Sequence, residues 1–557
     1  MIPRRAVASS SVTDSAHLLD VAALRGVERE AHEVEERALR APDRGAVLSV
    51  FMEAALGRDL AEAERLAYPR LASATGELTS FATSPRIAGP SMRTAPDLSR
   101  RRFLAASAAT LTSALLAPRL RARGESPPND WPSHGFGPEQ RRHNPAERNI
   151  TPESVSRLAV QWEFEAASGI TSTPAVVGDR VIVGSWDGRA YCLDRRSGRL
   201  LWSFEAGQRT YPPDRRLGIF ASPAVERATV YLASDRLIAL SLESGRLLWE
   251  RAMGAPATTL EYFWAAPLVH QGRLYAGVSA GSETRTRGRL VCLDAESGRP
   301  RWSFATVPEE SAGGGLIAPP ALDVATRTLY AATGNPFRAT GRSRTPADGR
   351  DHSSSLVALD ATSGRLRWAD QVHPHDQRNL DLNCPPMLVS VTRRDLVIVG
   401  GKDGLRAWDR TSRRRLWRVE LTPALPAGGK EALPSTGPEA GPTAAAEDLV
   451  FFASNNHADK TCLVAGIEAA TGEIRWLHSL PAFQFGPLSV AGGVVFLGLI
   501  DGKLRAWRAR DGELLWESPP GPPIAGGPAI ARGMVFVGSG AGAFLPGNRL
   551  RAFALPA

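Results

Sequence analysis

The chain of 557 residues is 43% hydrophobic and 22% charged, with 52 Gly and 42 Pro, a balance that marks a folded, turn-rich protein and excludes a largely disordered one. A formal charge of +9 does not point to nucleic acid: the only lysines are Lys402, Lys430, Lys460 and Lys503, and the arginines are scattered through turns, with no basic helix and no basic run interleaved with aromatics. Cys192, Cys292, Cys384 and Cys462 form no CxxC and no CxxCH pattern, which excludes a zinc knuckle and a covalently attached haem.

In chain order, residues 1–91 come first. Apolar residues recur at roughly helical spacing over 16–41 and 47–66. The segment is either a small helical extension or an upstream stretch added by a misplaced start codon. Residues 92–123 differ: Met92 precedes Ser99-Arg100-Arg101-Arg102-Phe103-Leu104, followed by an apolar run over 105–117 and then Arg119, Arg121 and Arg123. A paired arginine, an aromatic-leucine step and a short apolar helix resemble a twin-arginine export signal. The alternative is a short buried helix with a basic start. The run is shorter than the ~20 apolar residues a bilayer-spanning helix needs, so no integral span is expected beyond an uncleaved signal, and the location implied is the periplasm or another exported compartment.

Residues 124–557 carry a repeat: a short apolar strand, usually an Asp, a turn ending in Ser/Thr-Gly, and a tryptophan four residues after the glycine. Copies end at Trp202, Trp249, Trp302, Trp368, Trp417, Trp476 and Trp516, the fifth with Arg413 in the glycine place. The turn chemistry suits a hairpin, with glycine free to take φ > 0. The flanking residues alternate at period two, and Asp-Gly signals at Asp187-Gly188, Asp403-Gly404 and Asp501-Gly502 mark a second hairpin. Each unit therefore reads as a four-stranded antiparallel blade. Trp162 has its strand without the one before it, and Phe553 closes a strand without the tryptophan strand after it. Together these halves make one more blade, so an eight-bladed all-β propeller, closed by its own termini, is expected. Cys192 and Cys292 occupy equivalent repeat positions two blades apart, too far for a disulfide.

With the repeats in view, residues 130–557 resemble the pyrroloquinoline-quinone-dependent dehydrogenases, particularly their polyvinyl-alcohol dehydrogenase-like branch. The entry segment Asp130-Trp131-Pro132 with Asn149-Ile150-Thr151-Pro152 resembles that family's approach to its first strand. Four motifs carry the resemblance further. Ser282-Glu283 with Arg287-Gly288 resembles the stretch supplying a calcium-ligating glutamate, and Thr333-Gly334-Asn335-Pro336 the one supplying a calcium-ligating asparagine. His375-Asp376-Gln377-Arg378-Asn379-Leu380-Asp381 resembles the segment of the catalytic aspartate, and Gly401-Lys402-Asp403-Gly404 the turn whose cation meets the quinone oxygens. The resemblance implies pyrroloquinoline quinone and calcium as cofactors, with Glu283, Asn335 and Asn379 as metal ligands and Lys402 beside the quinone. Carboxylate and amide oxygens suit calcium, and an aspartate near the ion suits removal of an alcohol proton.

Two positions depart from that pattern. Asn379 stands where the family's aspartate is, and an amide is no general base, so the base would be Asp376 or Asp381. Ile317, after Gly313-Gly314-Gly315, stands where a tryptophan floors the cofactor. An adjacent cysteine pair common in the family is missing as well. Two functions are therefore compatible with the chain. One is an exported dehydrogenase oxidising an alcohol or sugar hydroxyl of a small or polymeric substrate, with electrons passing to a separate cytochrome or quinone. The other is a non-catalytic propeller acting as a binding or assembly scaffold, since the repeat itself is shared with such a scaffold.

Overall fold

Where a repeat carries an aspartate, that residue builds the turn that follows it. Asp194 Oδ1 accepts from Ser197 N–H at 2.9 Å and Ser197 Oγ at 2.7 Å, and Gly198 N–H closes on the Asp194 carbonyl at 2.9 Å. The same arrangement recurs at Asp294, Asp360 and Asp409. The side chain thus satisfies the backbone donors that a tight turn leaves open. In the computed structural model, residues 129–556 are described apart from 212–214, 254–260, 281–285, 310, 338–350, 375–379, 393, 422–442 and 457–458. The expected helical extension and export signal lie outside the described residues, as do Glu283, Asp376 and Asn379.

Eight antiparallel blades result. Blade 1 runs outward as Ala175–Val177, Arg180–Gly184, Arg189–Asp194 and Leu200–Glu205. The innermost strands of blades 2 to 8 are Ala224–Glu226, Leu268–His270, Ala321–Asp323, Met387–Val391, Thr443–Ala446, Ser489–Ala491 and Ala529–Ala531. Blade 8 is completed by Met534–Gly538, Arg549–Ala554 and, from the other end of the propeller, Ala159–Glu165. Trp162 pairs with Ala552 and Val160 with Phe553, so the ring closes as the two half-repeats predict. Glu261–Tyr262 adds to blade 3, and His143–Asn144 lies parallel to the innermost strand of blade 7.

Tryptophans lock adjacent blades. A Cβ placed on Gly198, Gly245, Gly298, Gly364, Gly472 or Gly512 would lie 2.6–2.8 Å from the Trp162, Trp202, Trp249, Trp302, Trp417 or Trp476 ring respectively. Each of these indoles also donates Nε1–H to a carbonyl of the next blade, as Trp302 does to Ala361 at 3.2 Å. Glycine serves here twice over, by its positive φ and by its missing Cβ. Leu, Val, Ile and Ala from facing sheets fill each junction; blades 5 and 6, for example, bury Ile398, Leu405, Val450 and Phe452 together. The four cysteines are free and buried.

One feature lay beyond the reach of the repeat. Residues 130–144 do not merely approach the first strand but wind round the central channel. Trp131 exchanges backbone hydrogen bonds with Val176 at 2.8 and 2.7 Å; Pro132, Pro138, Glu139, Arg141 and Arg142 then offer carbonyls to Val225, Leu322, Leu388, Ala445 and Val490. Asn144 Nδ2 donates to the Ile530 carbonyl at 2.8 Å. This strap thereby reaches the innermost strands of blades 1, 2, 4, 5, 6, 7 and 8. It starts at the face made by the first hairpin turn of each blade, where Asp130 Oδ1 takes Arg532 Nε at 2.6 Å and Gly178 N–H at 3.2 Å. The opposite face, built from the second turn of each blade and the loops between blades, holds those expected site residues that are described, Ile317, Asn335, Asp381 and Lys402.

Candidate functional site

Asp381 sits in the loop between blades 4 and 5, just before the innermost strand of blade 5. It is buried, at 2% exposure, and a buried carboxylate needs partners for its charge. Lys402 Nζ supplies one at 2.6 Å from Oδ2, and the backbone N–H of Asn335 supplies another at 2.7 Å from Oδ1. Lys402 also donates its backbone N–H to the Asp381 carbonyl at 3.2 Å. Asn335, from the second turn of blade 4, is 4% exposed. Its neighbour Gly334 donates to the Gly315 carbonyl at 2.8 Å, and its own carbonyl accepts from Gly314 at 2.6 Å. Ile317 follows in that same loop, half-buried, while Leu316 beside it is fully buried.

Three segments expected from the sequence therefore meet: the Thr-Gly-Asn-Pro turn, the Leu-Asp step and the Lys-Asp-Gly turn. The close fit explains two glycines. A Cβ on Gly334 would come 3.0 Å from Asp381 Oδ1, and one on Gly401 would come 2.9 Å from the Asp381 carbonyl. Asp381, rather than Asn379 or Asp376, is the acidic residue whose position is described. Both its oxygens are engaged, yet a carboxylate has about four lone-pair sites, so it retains capacity to accept another proton or bind a cation.

A second cluster behind Lys402 is one that sequence reasoning passed over. Asp403, also buried, takes both ends of the Arg406 guanidinium, with Nη1 at 2.9 Å from Oδ1. Its Oδ2 also meets His373 Nε2 at 3.1 Å and Arg418 Nη2 at 3.0 Å. Burial alone would raise the Asp403 pKa, but hydrogen bonds from His373 and Arg406 outweigh it and hold the carboxyl far below the usual range. The cluster pins the turn that presents Lys402. Its signal was present in the chain, since Asp501-Gly502 in blade 7 uses Arg505 in the same way, at 2.6 Å.

Residues 131–405 match the β-propeller domain family of glucose, ethanol and alcohol dehydrogenases that use pyrroloquinoline quinone (PQQ). Residues 401–543 match the family of the outer membrane protein assembly factor BamB. Over 490 residues the chain is 26% identical to a polyvinylalcohol dehydrogenase of a Pseudomonas species, covering 74% of each chain. A polyvinylalcohol dehydrogenase of a Sphingopyxis species is 25% identical, covering 69% of each. Residues 131–405 belong to the PQQ dehydrogenase β-propeller family. A quinohemoprotein alcohol dehydrogenase of Comamonas testosteroni is 24% identical, covering 76% of this chain and 74% of that one. Its crystal structure covers 77% of this chain and 80% of its own, with TM-score 0.66 and 20% identity. A europium-containing methanol dehydrogenase gives TM-score 0.65 at 19% identity, covering 77% of this chain and 98% of its own. Structural likeness at such identities shows a shared fold.

The donor chemistry at this PQQ-family site fits what the family binds. Lys402 offers an ammonium for an anionic quinone oxygen, and Asp381 and Asn335 are oxygen-bearing side chains of the type a hard cation takes. Among the described residues no cluster of three or more His, Cys, Asp or Glu stands ready to hold a metal. The described part of the site thus relies on amide and ammonium groups as well as a carboxylate.

Proposed function

We propose that this protein is an exported PQQ-dependent dehydrogenase that oxidises an alcohol or sugar hydroxyl and passes the electrons to a separate acceptor, a cytochrome or a quinone. The observation that carries this reading is the meeting of Asp381, Lys402 and Asn335 on one face of the propeller. Lys402 and Asn335 would hold the cofactor, with Glu283 and Asn379 completing the ligands to calcium and Ile317 giving the ring an aliphatic neighbour. PQQ supplies, when bound, the two-electron acceptor that no amino-acid side chain provides. Asp381 takes the hydroxyl proton of the alcohol, since Asn379 has no basic oxygen of sufficient strength. Lys402 holds that carboxylate in place through their 2.6 Å contact, and the Asp403 cluster keeps Lys402 from turning away. Asp376 is the competing base. Among the described residues no helix is long and apolar enough to cross a membrane; export through the twin-arginine route rests on Arg100-Arg101 and the apolar run after them.

The full chain, incubated with calcium and PQQ, is expected to retain the cofactor through gel filtration at micromolar concentration and to reduce a dye with alcohols. Asp381→Asn should lower kcat by about 10²–10⁴, the range for loss of a general base, with cofactor retained; Asp376→Asn should change it by less than tenfold. The reverse order would move the base to Asp376. Failure to retain PQQ would instead favour the scaffold reading, which the match of residues 401–543 to an assembly factor keeps in view.

A further inference from the structure

The site face has two sectors of opposite character. Asp381, Lys402 and Asn335 occupy the sector of blades 4 and 5. The second turns and loops of blades 7, 8, 1, 2 and 3 instead converge as an apolar cluster around Trp186, Phe220 and Tyr262, all nearly or fully buried. Phe220 lies 4.1 Å from Trp186 and stacks on Trp264 at 4.8 Å with an 18° interplanar angle. Trp264, Phe485 and Ile500 are only half-buried on top of the cluster. Phe544 packs edge-on against Trp186 at 5.7 Å and keeps 50% of its surface exposed. Exposed aromatic surface continuous with a buried aromatic floor marks a binding surface rather than a core.

The two sectors adjoin. Tyr262 pairs with Ser279 across blade 3, and Ser279 Oγ lies where a Cβ on Gly315 would fall. Gly315 accepts from Gly334, whose neighbour Asn335 binds Asp381. The polar tips inside the aromatic sector are already used: Trp186 Nε1 donates to Thr171 Oγ1 at 3.0 Å, and Tyr262 Oη donates to the Gly218 carbonyl. Around them stand Leu217, Ala525, Ala541 and Leu545. A sugar or polyol needs hydrogen-bond partners for each hydroxyl it buries, and leaving them unpaired is costly; an alkyl or aryl chain needs none.

Resting on the dehydrogenase reading, we infer that the aromatic sector seats the apolar portion of the substrate, so that the enzyme prefers alcohols bearing an extended aliphatic or aromatic group to sugars and polyols. Phe544 is the outer lip of that seat and sets the preference. The strap lies against the innermost strands of seven blades, and this face is taken as the side from which substrate arrives.

The test uses the full chain loaded with PQQ and calcium. The ratio of kcat/KM for 1-hexanol to that for glycerol is expected to exceed 10, and Phe544→Ala is expected to lower that ratio about tenfold, the effect of losing a few buried methylene-sized contacts. A ratio below 1 in the parent, or one unchanged in Phe544→Ala, overturns the inference. Tryptophan fluorescence of the unloaded chain keeps the inference separate from turnover. 1-Hexanol should give a saturable change that glycerol does not, weakened in Phe544→Ala. Absence of that change overturns the apolar seat even in an active enzyme, whereas its presence in a chain inactive with every alcohol upholds the seat and discards the dehydrogenase reading.

Discussion

Asp381 carries one negative charge and answers to two neighbours. With side-chain exposures of 3% for Asp381 and 12% for Lys402, the pair is held at 2.6 Å in a poorly hydrated setting, where each charge is tolerated because the other is present. Removing one partner should therefore hurt more than removing both. Lys402→Met should cost about 3 kcal/mol, because the buried carboxylate keeps only its Asn335 N–H. The double variant Asp381→Asn, Lys402→Met should lose less than the sum of the single changes, by at least ~1 kcal/mol in urea denaturation. Additivity within ~0.5 kcal/mol would show that the two groups do not depend on each other in solution.

At the scale of a single element, the repeat turn has a natural internal control. Arg413 takes the place glycine holds in the other full copies and is forced to φ 62°, a left-handed conformation that a residue with a Cβ enters at a cost of about 1–2 kcal/mol. Arg413→Gly should thus raise stability by about 1 kcal/mol, read as a higher Tm. Gly364→Ala should do the reverse and by more, because its φ of 72° is kept while the new Cβ meets the Trp302 ring at 2.6 Å. A fall in Tm for Arg413→Gly would mean that Arg413 makes contacts worth more than its strain. These turns are also where the sequence was most legible. Aspartate, serine, glycine and tryptophan at constant spacing specify a local hairpin and its docking partner, and the half-repeats at Trp162 and Phe553 specify closure. Asn335 and Lys402 were legible for a different reason, as members of motifs that resemble those of known dehydrogenases. The ion pair of Asp381 and the aromatic sector were not, because each joins separate loops and has no period along the chain; of the Asp403 cluster only the aspartate-glycine turn followed by an arginine, shared with Asp501 and Arg505, could be read.

At the scale of the whole molecule, the strap touches nearly every blade, and it carries ionisable groups that burial disfavours in their charged form. Arg142, 1% exposed, donates Nε–H to the Leu488 carbonyl at 2.6 Å and Nη2–H to Ser489 Oγ at 2.8 Å, and its guanidinium lies 5.6 Å from the Trp131 ring centre. Its Nη1 also donates to the His134 carbonyl. Burial, with the Arg142 charge adding to it, pushes the His134 pKa well below its ordinary 6.5. Burial, Arg141 and Arg148 bring His143 down to about 4. Both imidazoles are therefore neutral in the folded chain at pH 5–6 while those of the unfolded chain bind protons. Their contribution to stability is full above pH 6.5 and is lost as pH falls below it, down to about 4 for His143, at up to about 1.4 kcal/mol per pH unit for each histidine. The lowered carboxylates, such as Asp294 at about 2, act only below their unfolded value of 3.8 and leave this window to histidine. The Tm of the propeller should accordingly drop between pH 7 and pH 5, and His134→Gln should flatten that drop, since glutamine takes up no proton. Equal pH slopes for parent and variant would show that His134 is reached by water in solution.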